Sequence, residues 1–156
     1  MCLIEDKKAT QTFLKKHETN EEVVVWKIYY VTGVDGKVIP PCCPMKYITE
    51  VNAGCIKSNR RVKHYDDDDR MGYGPVPNKI SRGIHVYFTR ADARLKINVH
   101  GTYEGDHCRV FRCTAKMEDL IAVGVHAGVD KTIRQAVFMK IHITPEEFEK
   151  GKKGRN

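Results

Sequence analysis

The sequence predicts an α+β domain: a mainly antiparallel, curved sheet carrying one or two short helices. Three observations point there. Runs rich in β-branched and aromatic residues recur along the chain. Turn residues punctuate them. Crossover helices of the length that a doubly wound parallel sheet demands are missing.

Residues 5–22 are polar and mixed in charge, with Phe13 and Leu14 as neighbouring apolar residues, and read as an exposed N-terminal arm that can hold a short helical turn. Residues 23–31 form an almost unbroken run of β formers, the pattern of a central strand covered on both faces. Asp35-Gly36 follows as a hairpin turn, with Gly36 supplying the positive φ and Val38-Ile39 starting the return strand. Pro40, Pro41 and Pro44 remove ladder donors and stop it. A weaker stretch holds a short strand near Cys55-Ile56. Residues 58–78 read as one long polar loop.

The sharpest change of period lies at residues 83–94. Gly83 opens a strand of Ile84, His85, Val86, Tyr87 and Phe88. Thr89 then stands three residues before Asp92, close to a capping box, with a short helical run behind it. Residues 95–100 alternate apolar and polar side chains, and residues 101–106 are a turn. Residues 109–115 alternate as a half-buried strand. Residues 120–125 are its expected partner, since 116–119 is short enough for a hairpin. After a turn at 127–131, residues 136–143 form the last strand. Thr144-Pro145-Glu146-Glu147 is the clearest helix start in the chain: a cap residue, proline at the first helical position and Glu three after the cap. That helix runs into a basic tail at 151–156. The globular domain is therefore expected at 23–150.

At 156 residues, the chain has the length of one domain with a real core. Hydrophobic residues make up 41% and charged residues 30%, a globular composition. No apolar run approaches the roughly 20 residues that span a bilayer, and the N-terminus lacks a basic-then-apolar leader, so the protein is expected inside a cell. Its 6 cysteines fit mostly reduced thiols there rather than a secreted disulfide scaffold. A formal charge of +7 favours anionic partners such as nucleotides, nucleic acid or an acidic protein surface.

The candidate chemistries are few. Asp66 to Asp69 could hold a hard cation, but without a glycine-timed loop they read as a solvated acidic run beside Arg60, Arg61 and Lys63. His107, Cys108 and Cys113, even joined by Cys42 and Cys43, lack the ligand spacing of a zinc site. Cys2 heads the chain as an N-terminal nucleophile would, but no glycine-rich turn follows it. No phosphate loop or serine elbow occurs. The sequence thus assigns no catalytic residue, metal or cofactor. What remains is the strand-to-helix stretch, where Arg82, His85, Tyr87, Arg90 and Arg94 are cationic or aromatic. On a strand, His85 and Tyr87 share a face. That face is either a solvated one or a binding one, with Arg gripping phosphate and Tyr or His stacking on a base. Arg109, Arg112 and Lys140 are the expected auxiliary cations.

Two resemblances rest on these segments. Met1 to Ile4, Trp26-Lys27 and Gly83-Ile84-His85 resemble small accessory proteins of bacteria, phages and other mobile elements. That likeness implies a counter-defence factor such as an anti-CRISPR or a nucleotide sponge, without catalytic residues. The strand at 84–88, the following helix with Ala91 or Ala93, and the late strand at 135–143 more loosely resemble ADP-ribosyltransferases, implying NAD chemistry. The early His-Gly-Thr segment of that family has no counterpart, and Glu104 and Glu118 both fall in expected turns. The residues therefore favour a non-catalytic protein that sequesters or blocks a nucleotide, nucleic acid or ribonucleoprotein. The alternatives are an NAD-using transferase and a protein-docking module without a small ligand.

Overall fold

The computed structural model describes residues 3–33, 35–40, 50–58, 64–65, 79–80, 83–99, 107–126 and 133–154. The fold is α+β, with a mainly antiparallel, curved, unclosed sheet. In chain order the elements are β1 (Leu3–Glu5), α1 (Lys7–Lys16), β2 (Glu22–Val31), β3 (Val38–Ile39), β4 (Gly54–Lys57), β5 (His64–Tyr65), β6 (Lys79–Ile80) and β7 (Ile84–Tyr87). There follow α2 (Arg90–Val99), β8 (His107–Lys116), a 3-10 turn at Met117–Asp119, β9 (Leu120–His126), β10 (Arg134–Phe138), β11 (Lys140–Ile143) and α3 (Pro145–Lys152). No helix among the described residues is long and apolar enough to cross a membrane.

The strand order is β4-β11-β8-β2-β7-β10-β9-β1-β6-β5, with β3 paired to β2. Chain connectivity shows that this path is sharply bent. In a flat sheet β10 and β11 would lie roughly 19 Å apart, four spacings of about 4.8 Å. Only Met139 separates them in sequence, a reach of about 7 Å. The sheet therefore folds over between β2 and β7, where pairing shrinks to Trp26 opposite Tyr87. Past that pair, Lys27 Nζ donates to the His85 carbonyl at 2.8 Å. Met139 is bonded on both sides of the crossover: its N–H donates to Asp119 O, and its carbonyl accepts from Ser58 N, each at 2.8 Å.

The main core lies inside this bend. Val25, Tyr29, Phe111, Cys113, Ile141 and Ile143 from one half meet Ile84, Val86, Val123, Ala136 and Phe138 from the other. Phe148 of α3 closes it. Burial pushes the Cys113 thiol up to about 12 and raises the Tyr29 hydroxyl well above its usual range, so both act as packing groups. A second cluster of Ile28, Tyr87, Val110 and Ile133 lies under Ala93 of α2.

Several expected elements form as read. β2 is central between β8 and β7. The Asp35-Gly36 turn joins β2 to β3, with Gly36 at φ 64° and Thr32 N–H donating to Lys37 O. Cys55 and Ile56 lie in β4. Thr89 Oγ1 accepts from Asp92 N at 3.0 Å and donates to the Asp92 carboxylate at 2.7 Å, which caps the start of α2. Thr144 Oγ1 accepts from Glu147 N, capping α3.

Five expectations are corrected. The single last strand expected at 136–143 is two strands, β10 and β11, divided at Met139 and lying on opposite sides of the bend. The N-terminal segment is no arm: β1 adds to β9, and α1 docks through Thr10, whose hydroxyl accepts from Val123 N at 2.9 Å and donates to Val123 O at 3.2 Å. Residues 95–99 continue α2 rather than following a period of two, because Ala93, Lys96 and Ile97 fall on one helical face towards the sheet. β8 and β9 are not a hairpin. The full length of β8 pairs with β2, while β9 crosses the bend to lie between β10 and β1. The tail also begins later than residue 151: Gly151 is buried against the Phe111 ring. Most of the loop at 58–78, including Arg60, Arg61, Lys63 and Asp66 to Asp69, lies outside the described residues, as do Cys2, Cys42 and Cys43.

Candidate anion-binding cleft

Three elements end beside one another on the α2 side of the sheet. Arg94 projects from α2, Arg109 stands near the start of β8, and Lys153 caps the C-terminus of α3. Together with Ile97, Cys108, Val110 and Gly154 they line a cleft of about 370 Å³. The helix end is held there by its own backbone. Lys153 N donates to Glu149 O, and Gly154 N donates to Gly151 O at 2.9 Å. Gly154 adopts φ 68°, and a Cβ there would come within 3.2 Å of Arg109 Nε, so the turn rests directly on the guanidinium.

The described charged side chains of the cleft are all of one sign, set against the partial negative charge of the α3 C-terminus. Its described lining contains Arg94, Arg109 and Lys153 and no carboxylate. Arg109 Nη1 donates to the Cys108 carbonyl at 3.3 Å, while its Nε is buried without a hydrogen-bond partner among the described residues. Like charges facing one space repel, and an anion seated between them converts that repulsion into attraction. Ile97 and Val110 add an apolar floor. The arrangement suits a phosphate joined to a flat or apolar group.

The remaining expected site residues scatter. His85 and Tyr87 do share a face, but it is covered: they are 4% and 0% exposed, with Tyr87 packed beneath Ala93 of α2. Buried in this way, they are not presented for stacking. Arg90 opens α2 one turn before Arg94. Arg112 lies 4.0 Å from Glu147, and Lys140 lies 3.1 Å from Asp119. The Asp119 carboxylate hydrogen-bonds the Lys140 ammonium and raises its pKa. Lys140 is thus already partnered, and it lines a different cleft, bounded by Cys55, Thr114 and His142. Arg82 lies outside the described residues.

Lys153 is the cleft cation that the sequence alone does not single out. The cap at Thr144 and the glycines at 151 and 154 were its signal, since together they set a short helix with a defined end. Comparison with family models, curated proteins and solved structures gives no match.

Proposed function

We propose that this protein is a non-catalytic binder that sequesters an anionic ligand, a nucleotide or a nucleic-acid segment, in the cleft of Arg94, Arg109 and Lys153. The observation that carries this reading is the convergence of three cations from separate elements on a space without a described carboxylate. The formal charge of +7 supports it by drawing polyanions from a distance. The resemblance of Met1 to Ile4, Trp26-Lys27 and Gly83-Ile84-His85 to accessory proteins of mobile elements fits a role in counter-defence by sequestration.

The ligand's phosphate bonds the guanidinium forks of Arg94 and Arg109, while Lys153 acts as a mobile point charge. Each charge-assisted bond of this kind contributes about 1.5–3 kcal/mol. Fluorescence titration with a labelled nucleoside triphosphate and a labelled single-stranded oligonucleotide tests the assignment. Arg94→Gln combined with Arg109→Gln is expected to weaken binding by roughly tenfold or more. For the oligonucleotide, Arg109→Gln alone should flatten the salt dependence by about one unit of slope. Binding that is salt-tolerant and unchanged in both variants would instead indicate an apolar protein-docking surface.

A further inference from the structure

The opposite corner of the sheet carries a second site built from different chemistry. β4 and β11 pair with Cys55 directly opposite His142, and His142 in turn lies opposite Thr114 of β8. Directly opposed residues hold their Cβ atoms about 4.5–5.5 Å apart, within reach of a thiol and an imidazole. Cys55 and His142 both face solvent while their neighbours Ile141 and Ile143 are buried, so the pair stands on the outer face of the sheet. Cys55, His142 and Thr114 line a cleft of about 390 Å³.

We propose that Cys55 and His142 form a nucleophile–base pair that undergoes thiol–disulfide exchange with a small, carboxylate-bearing disulfide. The imidazole accepts the Cys55 proton as the sulfur attacks one sulfur of the incoming disulfide. The S–S bond of the reagent breaks, a new S–S bond joins Cys55 to one half, and the departing thiolate takes the proton back from His142. No further oxidant is consumed. Among the described residues, three lysines and three carboxylates line the cleft, so the charge of the partner rests on which of them are paired. Lys57, two residues along β4, shares the outer face and has no ion pair among the described residues. Lys140 is held by Asp119, Lys116 is 3.9 Å from Glu118, and Glu22 lies opposite Lys116. Lys57 is therefore the cation left to receive a carboxylate. Cys113, the buried thiol, offers no competing route.

Glutathione disulfide is the probe. Intact mass and peptide mapping should find Cys55 as the first thiol modified in the native protein. His142→Gln should slow that modification on the order of tenfold, and added imidazole should restore part of the rate by replacing the missing base. Lys57→Gln should slow reaction with glutathione disulfide more than with an uncharged disulfide of similar size. Cys55→Ser provides the blank. The proposal is overturned if another cysteine reacts first, or if His142→Gln leaves the Cys55 rate unchanged. All three substitutions are on the exposed face, and none lines the anion cleft.

Discussion

Single residues decide how tightly the two halves of the bend and the helix ends are held. Gly151 is the sharpest case. A Cβ there would stand 2.4 Å from the Phe111 ring, and Phe111 is itself fully buried and edge-on to Tyr29. Gly151→Ala is therefore expected to destabilise the fold by about 1–3 kcal/mol, the range for overpacking a filled core, as read by chemical denaturation. It should also displace Lys153 and weaken anion binding in the surviving folded protein. Gly83 is equally constrained, with φ 102° and Val137 Cγ1 2.3 Å from any added Cβ. The glycine and its strand were legible because a break in period stood beside β-branched residues. The fate of His85 and Tyr87 was not legible, because alternation identifies the residues that share a face and says nothing of what covers it.

At the level of elements, capping chemistry read most directly from the sequence. Thr89 and Thr144 each stand three residues before an acidic residue and each accepts a backbone hydrogen bond in the fold. Thr89→Ala should cost about 1 kcal/mol of stability and, by loosening the helix that carries Arg94, should lower ligand affinity. α1 reads as no more than a short helical turn in the sequence because its inward face is Ala9, Thr10 and Phe13, with a polar residue where an apolar one is normally sought. The β2–β3 turn makes a different prediction. The Lys37 ammonium, then Thr32, holds the Asp35 carboxylate down to about 2, below its ordinary 3.8. A lowered folded value means a contribution that is complete above the ordinary value and fades as pH falls from 3.8 towards 2. NMR titration should find Asp35 ionised through most of that window, and Asp35→Asn should remove the dependence from the turn's amide shifts.

For the whole molecule, the governing feature is the bend between β2 and β7. It brings β10 against β11 across one residue and turns what looked like a β8–β9 hairpin into a crossing between half-sheets. Local sequence could not reveal this. A three-residue link is short enough for a hairpin, and only the ten-residue register of β8 with β2 makes that pairing unavailable. Cleft formation has the same non-local origin. Arg94 and Arg109 were singled out from the chain, but their meeting with Lys153 depends on α3 returning over β8 from the far side of the crossover.

The proposed function depends on an anion seating at this meeting point. Native mass spectrometry of protein purified at low salt tests it most directly, on the wild type and on the Arg94→Gln, Arg109→Gln double variant, with a nucleoside triphosphate and a short oligonucleotide supplied in turn. The expected result is an added mass on the wild type that salt removes and that the double variant fails to retain. Equal retention by both proteins, or bare wild-type protein with either ligand, would contradict it.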